Sequence, residues 1–374
     1  ISSDSWPIYI SLQKDGILFK MRRTQDLPDK ESATMFFQDC KLSHQAQITG
    51  ISHSVKEILP PDLLDLTQLQ KEANIRYGYT ASEVYDIAQS LYEKKLISYP
   101  RTSSRYLTED VFDSLSPIMA HLLSWELFPA AKGTGGIDIS CLSRHVINSE
   151  KANVHHAIII TGIRPGNMSE KEMQVYRLVA GRMLETFMAP CRIETTNVEA
   201  VCAAQHFKAE QTRIIEAGWH DVFMHSDMVP KSGYSVNELP EVKKGDNLNV
   251  CGCNMVHKKE LPVDPFTDAE LVEYMEQNGL GTVSSRTNII RTLVNRKYIR
   301  YSGKYIVPTP KGMFTYETIR GKKIADTSLT ADWEKQLAGL ESGMITGQDF
   351  LNRIRTLAKE MTDDIFNTYS TKEE

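Results

Sequence analysis

The sequence predicts an α+β multidomain fold: a β-rich domain with an α-helical domain inserted into it, followed by a helical, winged-helix-like domain. Three observations carry this. The chain's 374 residues are too many for one ordinary core, and that length favours two or three domains. β-like patterning occupies residues 6–60 and returns at 189–260, on either side of a helical block. Beyond residue 260 a helical stripe runs into a hairpin pattern, the outline of a winged helix-turn-helix. The expected domains are 1–60 with 189–260, then 61–188, then 261–374.

"IYISLQ" and "ILFKM" read as strands, and "QAQITGISHSVKEIL" as a further extended pair, because residues 6–60 alternate without a strong helical period. "LPP" at 59–61 punctuates the chain. "TQLQKEANIRYG" fits a short helix closed by Gly78. "TASEVYDIAQSLYEKKLI" opens with a capping box, Thr80 and Glu83, and carries a stripe of Val84, Ile87, Ala88 and Leu91. A helix starts at Thr108, "AAKGTGGIDIS" is a loop, and 170–188 is a long amphipathic helix. "CRIETTNVEAVCAA" and "LNVCGCNMV" return to strand. In the last unit, Ile289, Ile290, Leu293 and Val294 form an apolar face, and "YIRYSGKYIVPT" a hairpin turning at Ser302-Gly303.

Composition excludes several classes. No run of about 18 apolar residues occurs, so no membrane span is expected. The start, "ISSDSWPIYI", lacks a basic region and an apolar core, so it is not a signal peptide. It has no initiator methionine, and a trimmed piece of a longer chain is expected. Six scattered cysteines without a C-x-x-C pair point to free thiols in a reducing cytosol rather than disulfides or zinc. A net charge of -5 argues against a generally basic nucleic-acid binder but leaves room for a local basic surface.

Three stretches could carry chemistry. In "LISYPRTSSRYL" (96–107), Pro100 pushes Tyr99 into an extended conformation, so Tyr99 and Arg101 can face one point. A phenol, with a pKa of roughly 10, needs help to ionise. A guanidinium can give that help and can hold a phosphate. This suits a tyrosine attacking a phosphodiester; the alternative is a packed tyrosine beside a loop arginine. "NVHHAIIITG" (153–162) pairs two histidines, which suggests a metal site, though adjacent histidines chelate poorly, or a phosphate contact, or one buried and one exposed ring. "GLGTVSSR" (279–286) leads into a helix N-terminus, where free N–H groups favour anions. Arg286, Arg291, Arg296, Lys297, Arg300, Lys304 and Lys311 follow with no acidic residue among 286–311, consistent with a phosphate-facing surface. Tyr298, Tyr301 and Tyr305 could stack on bases or pack in the wing.

Taken together, "LTQLQKEAN", "LISYPRTSSRYL", "VHHAIII", "MEQNGLGTVSSRTNIIRTLVNRKYI" and "LTADWEKQLAGLESG" come in the order of, and resemble, motifs of the type IA DNA topoisomerases, most closely the topoisomerase III branch. The resemblance implies that Tyr99 is the nucleophile, Arg101 its partner and His155 the histidine near the scissile phosphate. It implies strand contacts at Gln70, Thr282, Ser285, Arg286 and Lys297. The pattern departs at Ser103 and Val154, where the family usually has acidic residues, and at Ile160 and Val283, where it has prolines.

The implied architecture is the open part of a toroid: a β arch, a helical domain bearing the tyrosine, and a winged-helix-like domain. The implied reaction is ATP-independent cleavage of a single strand through a 5′-phosphotyrosine, strand passage and religation. The partner would be single-stranded or negatively supercoiled DNA, met by a monomer in the cytoplasm at the nucleoid. The family's Mg²⁺ would be bound by a Toprim domain whose D-x-D-x-E cluster is absent from this sequence, so no metal is expected on this chain, and the chain alone is expected not to relax DNA. The alternative is a non-catalytic winged-helix DNA-binding module.

Overall fold

The structure is a computed structural model that describes residues 5–125, 128, 144–152, 155–224, 239–258 and 264–370. In chain order its elements begin with β1 (Ile8–Lys14), β2 (Ile17–Arg23), α1 (Lys30–Leu42) and β3 (Gln45–Ile58). Helices α2 (Leu66–Tyr77), α3 (Ala81–Glu93), α4 (Glu109–Asp113), α5 (Leu115–Ser124) and α6 (Glu170–Phe187) follow. Next come β4 (Cys191–Cys202), β5 (Gln205–Glu216), α7 (Asp221–Met224) and β6 (Asn247–Met255). The last group is α8 (Asp268–Gln277), α9 (Val283–Asn295), β7 (Ile299–Ser302), β8 (Tyr305–Pro308), α10 (Pro310–Ile319), α11 (Thr327–Glu341) and α12 (Gly347–Ser370). Two compact units result. One takes the described residues of Ile1–Pro60 and Phe187–Asp264; the other takes those of Pro61–Lys132, Asp138–Thr186 and Pro265–Glu374.

The first unit is a closed antiparallel barrel of strand order β1-β2-β5-β4-β3-β6. Alternation builds it: Ile8, Ile10 and Leu12 point inward and meet Phe19, Met21, Ile48, Val198, Phe207 and Leu248 from the other strands. Residues 45–58, read as an extended pair, form the single long strand β3. Its first half alternates buried and exposed, but from Ser52 to Glu57 every residue is exposed. The paired stretches of β4 and β5 lose their alternation at the same level. The three strands therefore continue past the barrel core as a ribbon. Cross-strand pairs line it, with Thr195 to Thr212 at 3.2 Å and Arg213 to Glu194 at 2.7 Å.

The strand reading of 6–60 needs one correction, because α1 lies inside it. Asp29 caps this helix by accepting from Ser32 N–H at 2.7 Å, Ala33 is buried, and Phe36, Phe37 and Cys40 pack on the barrel core. That stripe is short and mixed with polar residues, so it shows little helical period in the sequence.

The second unit follows its local signals closely. Gly78, at φ 72°, closes α2, and the Thr80–Glu83 box opens α3 with both reciprocal bonds made. A second box, Thr267–Glu270, opens α8. Val272 and Met275 of α8, Ile290 of α9 and Ile306 of β8 share a core with Ala81 at the start of α3. Ile289, expected on the apolar face of α9, is instead exposed. In the hairpin Ser302 pairs with Tyr305, so the turn is Gly303-Lys304, one residue beyond the expected pair. The Gly-rich stretch at 130–140 lies outside the described residues.

Candidate active site

The segment that bears Tyr99 begins where α3 ends. Lys95 takes a left-handed conformation (φ 58°), and Leu96 N–H returns to Leu91 C=O at 2.9 Å. Leu96 and Ile97 are then buried as an anchor. Ile97 bridges to Ile160, and Ser98 N–H donates to Ile159 C=O at 2.8 Å. The Ser98 hydroxyl accepts from Ile159 N–H at 2.9 Å and donates to Ala157 C=O at 3.0 Å. Past Tyr99, the Thr102 hydroxyl donates to His155 C=O at 2.9 Å, and Thr102 C=O accepts from Leu66 N–H at 3.1 Å. The loop is thus clamped on both sides of Tyr99 to residues 155–160. Two motifs read separately in the sequence form one structure.

Tyr99 is half-buried and His155 is exposed. Their ring centroids lie 4.4 Å apart, tilted by 42°, and Tyr92 meets Tyr99 edge-on at 5.4 Å. Arg101 sets its guanidinium over the Tyr85 ring at 5.1 Å and donates from Nη2 to Gln89 Oε1 at 3.2 Å. Tyr85, Gln89 and Tyr92 are spaced i, i+4, i+7 and share one side of α3. This stripe, beside the core stripe of Val84, Ala88 and Leu91, is the bed of the loop. Arg101 Nε is buried and has no hydrogen-bond partner among the described residues, so one donor of a held cation stays unused. His156 bonds its Nδ1 to Ala157 C=O at 2.7 Å, which places a proton on Nδ1.

The five residues expected to contact a strand divide. Thr282, Ser285 and Lys297 lie at the surface or part-way to it. Ser285 Oγ accepts from Thr282 N–H at 2.8 Å, which closes a box at the start of α9. Gly281 (φ 71°) brings the chain so close that a Cβ would lie 2.8 Å from Ser285 Oγ. Gln70 and Arg286 lie deeper. Gln70 is 2% exposed, and its amide donates to Ala81 C=O at 2.9 Å and Thr287 Oγ1 at 3.0 Å. Arg286 is 8% exposed and paired with Glu276 at 3.1 Å. Arg291 is also spent, on both oxygens of Asp86 at 2.9 and 2.8 Å. The carboxylates missing from 286–311 come from α8 and α3. Arg296, Lys297, Arg300, Lys304 and Lys311 remain exposed. Tyr298 and Tyr305 carry Lys311 and Lys304 over their rings, and Tyr301 donates to Asp268 at 3.2 Å.

Sequence reasoning missed a polar cleft of about 450 Å³ beside the loop, lined by Asp62, Asp65, Ser103, Arg105, Tyr106 and Glu276 among others. Arg105 Nε reaches Asp65 Oδ2 at 2.6 Å. Burial pushes the Asp65 carboxyl up, while Gln68 N–H and Arg105 oppose that shift. The available signal was the position of Asp65, directly before the α2 motif, as an N-cap. For the Mg²⁺ that the resemblance implies, no group of three or more His, Cys, Asp or Glu side chains among the described residues could hold a metal ion. The described residues therefore do not fit that ion.

Comparison with known proteins followed the same lines. The family model described as DNA topoisomerase matches residues 1–352. The DNA topoisomerase 3 of Bacillus licheniformis is 31% identical over 348 residues, covering 86% of this chain and 47% of that protein. That of Bacillus subtilis is 29% identical over 355 residues, covering 87% and 48%. Full-length topoisomerase I from Thermotoga maritima superposes with a TM-score of 0.72 at 21% identity, covering 96% of this chain and 59% of that one. The chain spans about half the length of the curated relatives it matches.

Proposed function

The chain belongs to the DNA topoisomerase family, and from that premise we propose that it supplies the nucleophile and strand-gripping surface of a type IA, topoisomerase III-like enzyme. Tyr99 attacks a phosphodiester of a single strand. The phenol oxygen loses its proton and bonds to phosphorus, the 3′ oxygen leaves and takes up a proton as the 3′-hydroxyl, and the 5′ end is held as a phosphotyrosine. Attack by the 3′-hydroxyl reverses the step, so the bond energy is kept and ATP is not required. Arg101 lends its charge to the phosphate oxygens, and His155, whose ring packs on Tyr99 at 4.4 Å, supplies a second contact beside it. Thr282, Ser285 and Lys297 contact the backbone of the strand, while Gln70 and Arg286 position α9 from inside. Residues 61–188 and 261–374 act as the cleavage and winged-helix-like domains, and the barrel with its ribbon as the arch.

The observation that carries this reading is Tyr99 packed on His155 in a loop clamped to the second motif. The test is denaturant-resistant DNA–protein adducts in the longer protein that contains this chain. Adducts are expected with Tyr99 and lost in Tyr99→Phe. Adducts that persist in Tyr99→Phe would remove the proposal. For the 374 residues alone, supercoiled plasmid is expected to stay unrelaxed with Mg²⁺ present, and clear relaxation would show that no further part is needed.

A further inference from the structure

The entry to α2 joins the two motifs of the candidate site. Leu64 C=O accepts from Ile158 N–H at 2.8 Å, and Leu66 N–H donates to Thr102 C=O at 3.1 Å. Between these two ties lies Asp65, 2% exposed, and its carboxylate is divided. Oδ1 accepts from Gln68 N–H at 2.7 Å and caps α2, while Oδ2 accepts from Arg105 Nε at 2.6 Å. On either side of Arg105 the chain is fastened again. Ser104 N–H donates to Thr102 Oγ1 at 3.0 Å, and Tyr106 C=O accepts from Ala157 N–H at 2.9 Å. Residues 102–106, which follow Tyr99, and 155–158, which begin with His155, are thus sewn to one short segment. Asp65–Arg105 is the charged tie of that seam.

A carboxylate this deep is costly unless it is paired, and a buried ion pair adds little to stability over an apolar packing of the same shape. What the pair does supply is direction, because a guanidinium and a carboxylate meet in a fixed planar geometry. The bland alternative is that Arg105 grips the DNA strand. The polar cleft that Arg105 lines speaks against it. Asp65 is paired with Arg105 and Glu276 with Arg286, which leaves Asp62 and Glu150 against Lys151 on the cleft wall. That lining does not favour a phosphate. The charge of Arg105 is used inward.

We propose that Asp65 and Arg105 are a positioning pair for cleavage: Asp65 fixes Arg105 against the start of α2, which holds residues 102–106 in register with 155–158 and keeps Tyr99 stacked on His155. The proposal rests on the reading of Tyr99 as the nucleophile, and it gives neither member of the pair a contact with the strand. Two substitutions separate pairing from capping. Asp65→Asn keeps the cap of α2, since Asn and Asp cap about equally well, but loses the charge that holds Arg105. Arg105→Gln removes the cation and leaves the cap untouched.

The experiment uses the longer protein that contains this chain, as the native form, Asp65→Asn, Arg105→Gln and the double variant. It measures the single-turnover cleavage rate at saturating protein and the equilibrium binding of the same labelled single-stranded oligonucleotide. Each single variant should cleave about 10- to 100-fold more slowly, the scale of loss for a misplaced reacting group. Strand affinity should stay within about two-fold of native. The double variant should be no slower than the slower single one, because the pair acts as a unit. In Arg105→Gln the salt dependence of binding should match native; a log–log slope smaller by roughly 0.7 would make Arg105 a phosphate contact and overturn the proposal. Losses that multiply in the double variant, or a loss of rate matched by an equal loss of affinity, overturn it too. Tyr99-dependent adducts formed at the native rate in Asp65→Asn remove this proposal alone. Adducts that persist in Tyr99→Phe remove the nucleophile reading and this proposal with it.

Discussion

Arg101 is held by shape as well as charge: a planar guanidinium lies on Tyr85 and reaches Gln89. A lysine would keep the charge but lose the stacked plane and the fork of donors. Arg101→Ala in the longer protein should therefore lower the cleavage rate by about 100-fold, the usual loss when one donor to a developing oxyanion is removed. Arg101→Lys should recover less than about a tenth of that loss. Single-turnover cleavage of a labelled oligonucleotide measures both, and full activity in the lysine variant would separate Arg101 from the chemistry.

Glu185 gives a different kind of expectation. Burial pushes its carboxyl up to about 7, against the opposing pull of Arg182. A folded-state value above the unfolded one means that the folded chain holds the proton longer. Stability should then fall as pH rises from about 4.5 to 7. Thermal melts should show this slope in the native chain and a flatter one in Glu185→Gln. An unchanged slope in that variant would assign it to other groups.

Among the elements, helix α9 depends on its entry. Gly281 needs a left-handed backbone, and a Cβ there would meet Ser285 Oγ at 2.8 Å and Ile289 at 3.0 Å. Gly281→Ala should cost about 1–2 kcal/mol and loosen the Thr282–Ser285 box. Denaturant titration measures the loss, and single-strand affinity should fall with it. Short-range features of this kind were legible in the sequence. Gly78 as a stop, Thr80 with Glu83 as a start, and the hairpin after α9 depend on residues within a few positions of one another. What could not be read joins distant positions. Gln70 and Thr287 are 217 residues apart, and Asp65 and Arg105 are 40 apart. The same distance effect hid the partners of two cations in 286–311, because Glu276 and Asp86, which pair with Arg286 and Arg291, lie outside the segment. Tyr99, Arg101 and His155 were legible only as motifs; that Ser98 and Thr102 fasten the first motif to the second is a matter of tertiary hydrogen bonds.

At the scale of the whole molecule, acidic residues outnumber basic ones, 48 to 43, so the proposed grip on DNA has to come from a local face. Five exposed cations remain around the hairpin after internal pairing. Binding of a single-stranded oligonucleotide should weaken with salt, with a log–log slope of roughly −3 if most of them meet phosphates. Fluorescence anisotropy across a salt series measures it, and a flat response would show that this face is not the grip.

The ribbon that β3, β4 and β5 carry past the barrel core has a mechanical consequence. It is a sheet with solvent on most of both faces, so its resistance to bending comes from ladder hydrogen bonds and cross-strand pairs, without a packed interior behind it. Such a strip behaves as a leaf spring, compliant across its plane and stiff along it. Its amides at 52–57, 192–197 and 211–215 should exchange hydrogen far faster than those of the barrel end at 8–12 and 198–202. Equal protection along the strands would mean that the strip is as rigid as its base.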